Sequence, residues 1–141
     1  MAQREELYEA LDSFLTALDA RDPQRVAWAA QTFYTENNVV LEPGDGVWNT
    51  LTARGLYDLR FADQEQGEVA VFVAVEETDA VSPASIRLQV AEGRIAGCEV
   101  VVARNKDEGF PFLGQKFEDK PAMLAMVPEA ERSSRDELIR I

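Results

Sequence analysis

One change of period constrains this chain more than anything else in it. Up to about Phe33 the apolar residues recur at helical spacing, and from Leu56 onward they alternate as in a sheet. The stretch Phe33-Tyr34-Thr35-Glu36-Asn37-Asn38-Val39-Val40-Leu41-Glu42-Pro43-Gly44-Asp45-Gly46-Val47-Trp48 lies between the two regimes. It mixes carboxylates and amides with large aromatics, so a site at a helix–sheet junction would be built there.

Before the junction, Leu7, Leu11, Phe14, Leu15 and Leu18 form one stripe of an amphipathic helix over residues 3–20. Glu5 and Glu6 sit in its first turn, where carboxylates suit the helix dipole. Asp22-Pro23 reads as an N-cap followed by a first helical residue. A second helix is expected from there to about Phe33, burying Val26, Ala29, Ala30 and Phe33. Asn37-Asn38 ends that pattern. Val39–Leu41 is a short strand, and Pro43-Gly44-Asp45-Gly46 a turn in which two glycines make unusual backbone angles cheap. Val47–Thr52 is either a short strand or irregular.

After the junction, Leu56–Ala62 alternates, with Tyr57, Leu59 and Phe61 on one face and Asp58 and Arg60 on the other. Residues 63–67 and 78–83 are loops. Glu68–Glu76 is apolar on both faces, which predicts a central strand covered on both sides. Ser85–Ala91 and Ile95–Ala103 form a hairpin around Glu92-Gly93. Two registers are open for it. Matching Ile86, Leu88 and Val90 to Ala96, Cys98, Val100 and Val102 is the better one, and it sets Arg87 beside Glu99. A slip of one residue would part them.

Beyond Arg104 the periodicity dissolves. Asn105–Met126 carries Phe110, Pro111, Phe112 and Phe117 in no clear pattern and reads equally as a packed or a loose tail. Residues 128–134 are linker-like, and Ser134 with Glu137 makes a capping box. The expected organisation is one domain over residues 1–127, then a linker and short helix over 128–141. Arg135-Asp136-Glu137-Leu138 also echoes Arg4-Glu5-Glu6-Leu7, so the end reads either as a short helix on the same domain or as the start of a second repeat.

Composition narrows the function classes. The net charge of −12 argues against nucleic acid and anionic membrane surfaces as partners. No apolar run approaches the ~20 residues of a membrane span. With no histidine and a single cysteine, Cys98, the chain cannot form a His-based triad or an intrachain disulfide. It permits a reducing compartment, so a cytoplasmic location is expected. Glu36, Glu42 and Asp45 raise a metal site as an option, but no metal motif supports it; the expectation is no metal and no cofactor.

Ser13-Phe14-Leu15-Thr16-Ala17-Leu18-Asp19-Ala20-Arg21-Asp22, Tyr34–Pro43 and Val90-Ala91-Glu92-Gly93-Arg94-Ile95 resemble three landmarks of the nuclear transport factor 2-like superfamily. They match its first helix and following Asp, its entry into the first strand, and its last hairpin. The superfamily includes ketosteroid isomerases and SnoaL-like polyketide cyclases. The likeness covers roughly residues 5–104. Thr35-Glu36-Asn37 with Gly44-Asp45-Gly46-Val47-Trp48 is most similar to an uncharacterised SnoaL-like subgroup, some members of which continue into a second similar domain. The resemblance implies an α+β fold: a cone of N-terminal helices packed on a strongly curved, mostly antiparallel β-sheet.

The resemblance also implies a site. Glu42 before Pro43 stands where the isomerases keep their general base. Their tyrosine oxyanion donor falls on Phe14 and their protonated aspartate near Ser85, so steroid isomerisation of that type is not expected. The stretch after Trp48 is short for the family's third helix. The candidate catalytic pair is therefore Glu42 as base and Arg87 as electrophile. Tyr34, Asn37, Trp48, Tyr57, Phe61, Phe72 and Glu99 are candidate ligand-binding residues for a small hydrophobic or aromatic ligand. For each a plainer role stands beside this one: a solvated carboxylate for Glu42, an ion pair with Glu99 for Arg87, and core packing for the aromatics. The expected activity is cofactor-free isomerisation, cyclisation or elimination by proton transfer. The alternative is a non-catalytic interaction domain, pairing as a homodimer through the outer face of its sheet, with Ile86, Leu88, Val90, Cys98, Val100 and Val102 partly at the interface.

Overall fold

A computed structural model describes residues 3–78, 80–104 and 121–140. Phe110, Pro111, Phe112 and Phe117 lie outside the described residues. Helix α1 (Arg4–Asp19) buries Leu7, Leu11, Phe14, Leu15, Ala17 and Leu18, the expected stripe. The Gln3 backbone N–H donates to Glu6 Oε2 at 2.9 Å, closing the first turn. Strands β1 (Trp28–Glu36), β2 (Val39–Val40), β3 (Leu51–Asp63), β4 (Glu68–Glu77), β5 (Ala80–Ala91) and β6 (Arg94–Val102) make one sheet in the order β2-β1-β6-β5-β4-β3. All neighbours are antiparallel except β1 and β6, which are parallel. The fold is α+β, with N-terminal helical structure packed on a curved, unclosed sheet. No helix among the described residues is long and apolar enough to cross a membrane.

The second helix is a correction. Asp22 caps as expected, its Oδ1 accepting from the Gln24 N–H at 3.2 Å, but the helix that follows is one 3-10 turn, Pro23–Arg25. Residues 28–36 then run as β1. Of the expected buried set only Val26 is buried, and Phe33 is 62 % exposed. The Thr32-Phe33-Tyr34-Thr35 run of β-branched and aromatic residues favours a strand. A partner strand decides the matter: Ile95 N–H donates to Ala27 O at 2.9 Å and Thr32 Oγ1 to Ile95 O at 3.0 Å. Helical spacing over four apolar residues does not compete with a partner strand, even one whose register shifts between Trp28 and Phe33. Asn37 and Asn38 (φ 47° and 64°) then make a two-residue reversal into β2 rather than a helix end.

Three further segments differ. Residues 47–52 are neither strand nor irregular at their start: Val47–Thr50 forms a single helical turn, α2. Strand β3 begins at Leu51 instead of Leu56, and β5 takes in residues expected as loop. Strand β4 buries Val69, Val71, Val73 and Val75 against the core, but its other face is covered only at Ala74, 3 % exposed, while Phe72 is 47 % exposed.

The hairpin follows the apolar-matched register, Ile86 opposite Val100, Arg87 opposite Glu99 and Leu88 opposite Cys98. Glu92 and Gly93 (φ 52° and 70°) make its turn. Helix α1 lies over the inner face of the sheet. Arg54 of β3 grips Asp19 at 2.7 Å and Arg60 reaches Asp12 at 2.8 Å, so β3 holds the helix by charge at two points about two turns apart, as well as by packing. The C-terminal stretch holds α3 (Pro121–Leu124), a 3-10 turn (Glu129–Glu131) and α4 (Arg135–Ile139), with the Ser134–Glu137 capping box formed: Ser134 N–H to Glu137 Oε2 is 2.8 Å.

Candidate functional site

The inside of the curved sheet is occupied by its own side chains. Tyr34 and Trp48 are 1 % and 2 % exposed. Phe14 packs edge-on against Trp48 and Trp28, with ring centroids 5.4 and 6.0 Å apart. Trp28 meets Tyr34 at 6.5 Å and Trp48 at 6.4 Å. Such edge-to-face contacts add to the burial of the rings themselves. The Tyr34 hydroxyl donates to Asp45 O at 3.3 Å. Burial, with Cys98 and Glu36 nearby, pushes Tyr34 well above the usual phenol range. Trp48 lies close to that hydroxyl, yet its indole N–H is buried without a hydrogen-bond partner.

At one end of this interior, three charged groups meet. Glu36 closes β1, Glu77 closes β4 and Arg104 follows β6. Arg104 reaches Glu36 Oε1 at 2.7 Å and Glu77 Oε2 at 2.7 Å. Glu36 Oε2 also accepts from the Val47 N–H at 2.6 Å, and Thr50 Oγ1 donates to Glu77. The two carboxylates are nearly buried, with side chains 7 % and 10 % exposed. Burial alone would raise Glu77, but the hydrogen bonds from Arg104 and Thr50 outweigh it and hold the carboxyl below its ordinary value. Gly46 (φ +64°) is required here, because a Cβ would stand 2.1 Å from Glu36 Oε2. Every charge in this cluster has an opposite partner, so the cluster fastens three strand ends together. Sequence reading noticed Glu36 but missed Glu77 and Arg104. The signal was present: Glu77 continues the inward series of Val69, Val71, Val73 and Val75, and Arg104 that of Cys98, Val100 and Val102.

The nine expected site residues separate into three groups. Tyr34 and Trp48 are core. Glu42 is exposed in the turn before β3, and Asn37 extends the β6 ladder, its Oδ1 accepting from the Val102 N–H at 2.8 Å and its Nδ2 donating to Val102 O at 3.1 Å. Tyr57 lies in β3 where its register to β4 shifts, and the other four, Phe61, Phe72, Arg87 and Glu99, lie on the outer face of the sheet, away from α1. There Arg87 donates to Glu68 Oε1 at 2.6 Å and to Glu99 Oε2 at 3.2 Å. Phe61 and Phe72 make an edge-on pair, centroids 5.6 Å apart at 81°. Register carries the face across four strands: Val101, Ser85, Phe72 and Leu59 form one row, and Glu99, Arg87, Ala70 and Phe61 the next. Phe33, Phe61, Phe72 and Val101 are 45–62 % exposed.

The expected interface set is thereby corrected. Ile86, Leu88, Cys98, Val100 and Val102 are at most 2 % exposed and Val90 packs against them, so all six belong to the core. Burial likewise pushes the Cys98 thiol far up. A separate cleft of about 740 Å³ lies between α1, the β3–β4 loop and the β5–β6 turn. Glu6, Glu9, Glu65 and Glu92 line it around Leu7 and Val90, and it holds none of the nine expected residues.

No protein-family profile and no curated protein matches the chain. Solved structures do. A de novo designed protein with a curved β-sheet superposes with a TM-score of 0.58 at 17% identity, over 72% of this chain and 88% of that one. A ketosteroid isomerase-like protein from Kribbella flavida gives 0.57 at 14% identity, over 90% and 93%. An NTF2-like protein of unknown function from Cytophaga hutchinsonii gives 0.51 at 11% identity, over 68% and 88%. At such identities the likeness is one of backbone alone. The helix on a curved sheet, the last hairpin in its expected register and these superpositions together give this chain the nuclear transport factor 2-like fold.

Proposed function

We propose that this chain is an interaction domain that pairs with a second copy of itself through the outer face of its sheet. The observation that carries this reading is the outer face: Phe33 of β1, Val101 of β6, Phe72 of β4 and Phe61 of β3 stand 45–62 % exposed. Small residues lie among them in register, Ser85 between Val101 and Phe72, and Ala70 beside Phe61. Exposed apolar surface of this extent marks interaction sites. Arg87 offsets only one of the two carboxylates that hold it, Glu68 and Glu99, so in a chain of net charge −12 it is the apolar part of this face, not this edge, where two copies could approach.

The enzyme reading, with Glu42 as base and Arg87 as electrophile on a small aromatic ligand, has less support. Glu42 is exposed in its turn, Arg87 is held on the outer face, and Trp48 and Tyr34 fill the interior. Sedimentation equilibrium at micromolar concentration decides between them. A dimer that Phe72→Asp converts to monomer, with the circular dichroism of the fold retained, supports pairing through this face. A wild-type monomer throughout the micromolar range overturns it.

A further inference from the structure

Residues 121–140 are joined to the domain by charge rather than by burial. Their described side chains are all exposed. Most of their hydrogen bonds stay within the stretch: Arg132 Nε donates to Val127 O at 2.8 Å, and the capping box adds Glu137 N–H to Ser134 Oγ at 3.3 Å. Among the described residues, the polar contacts that reach the domain belong to one guanidinium. Arg135, the first residue of α4, reaches Asp63 Oδ2 through Nη1 at 2.7 Å and Glu65 Oε2 through Nε at 3.1 Å.

The socket for that guanidinium is built by the domain. Asp63 ends β3, and its other oxygen, Oδ1, accepts from the Glu65 and Gln66 backbone N–H groups at 3.1 and 3.2 Å. This turn fixes the carboxylate and leaves Oδ2 to Arg135. Arg135 first, and the loop N–H groups after it, hold the Asp63 carboxyl below its usual value. A planar fork of donors spans two carboxylates at once, which an ammonium does not do in the same fixed geometry.

Solvent sets the strength of this attachment. The Arg135, Asp63 and Glu65 side chains are 41 %, 31 % and 55 % exposed. Exposed ion pairs are individually weak and are screened by salt. The screening length falls from ~30 Å at about 0.01 M salt to ~3 Å at about 1 M, the span of the pairs themselves. A five-residue helix does not stand alone in water, so α4 adds no anchor of its own. The domain in turn does not need the stretch, since its core is drawn from Leu7 to Val102.

We infer that Arg135 is a salt-sensitive latch. Docked, it holds residues 121–140 against the β3–β4 loop; at raised ionic strength the stretch swings clear and the domain stays folded. Release also changes the charge beside the loop. Glu65 lines the cleft together with Glu6, Glu9 and Glu92, and none of the described lining residues is Lys or Arg. Docking therefore brings a cation to that acidic wall, and release removes it.

The test is a distance measured within the full chain, between spin labels on Gln66→Cys and Leu138→Cys. Both positions are exposed and the native Cys98 is buried. Labelled chain is diluted with unlabelled chain, so that only distances within one copy are read. Double electron–electron resonance should give one narrow distribution at low salt, and a longer, broader one at about 1 M. Arg135→Ala should give the broad distribution at every salt concentration. Arg135→Lys keeps the charge without the fork and should fall between the two. Thermal unfolding of the domain should be the same for wild type and Arg135→Ala. A distribution that stays narrow at high salt, that Arg135→Ala leaves unchanged, or that is broad in the wild type at low salt overturns the latch. A lowered unfolding temperature for Arg135→Ala also overturns it, and would make Arg135 part of the fold.

Discussion

Strands β4, β5 and β6 present two faces built from alternate residues of the same chain, and the two have different tasks. Inward stand Val69, Val71, Val73, Ile86, Leu88, Cys98 and Val100, each at most 2 % exposed against α1. Outward stand Ala70, Phe72, Ser85, Arg87, Glu99 and Val101. The inner set is aliphatic and branched, suited to interlocking with a helix. The outer set joins a large ring and small residues with one cation held between two carboxylates. The inner face accounts for folding. The outer face contributes little to the monomer and is where a second surface can act.

Truncation contrasts the two faces most strongly. Trp48→Ala should destabilise by about 3–5 kcal/mol, since a fully buried ring leaves a cavity among Phe14, Trp28 and Tyr34. Phe72→Ala should cost the monomer under about 1 kcal/mol and show its effect in association. Urea denaturation of both variants checks this, and equal losses would erase the distinction between the faces.

Next in size is Arg104→Ala, which leaves two nearly buried carboxylates without their cation. A loss of about 2–3 kcal/mol is expected, discounted because Arg104 itself is 33 % exposed. The same cluster sets a pH dependence. Glu77 has its folded value held below the ordinary 4.5, so its contribution is complete above that pH and fades as pH falls through the lowered value. Glu77→Gln should flatten the acid limb of stability against pH, and an unchanged limb would remove Glu77 from it. Gly46→Ala should cost about 1–3 kcal/mol, from left-handed backbone and the clash with Glu36. Thermal denaturation would show it, and a neutral result would mean that the Glu36 carboxylate can move aside. Smallest is Arg87→Ala. Its ion pairs are half-exposed, so monomer stability should change by less than about 1 kcal/mol.

Much of this was legible in the sequence because it rests on local pattern. The stripe of α1 needs only a period of 3.6, and the register of β5 against β6 only the matching of two alternating sets. The misreadings occurred where pattern was ambiguous. Val26, Ala29, Ala30 and Phe33 fit a helix as a spacing, yet β6 lies alongside and takes up the backbone groups of residues 27–36. Phe61, Phe72, Arg87 and Glu99 share a face, as strand alternation implies. Alternation is symmetric, however, and does not say which face the helix will cover.

What the amino-acid sequence determined by itself, then, is the set of elements whose partners are near in the chain: helix α1, the valine strand β4, and the hairpin of β5 and β6 with Arg87 opposite Glu99. The tertiary structure decided three things that join distant residues. It turned residues 28–36 into a strand by supplying β6 across more than sixty positions of sequence. It brought Glu36, Glu77 and Arg104 into one charged cluster by ending three strands at one place. It laid α1 over the valine face and left the aromatic face open. The physical reason is common to all three: a local pattern records which side chains share a surface, whereas burial and pairing depend on what is brought against that surface.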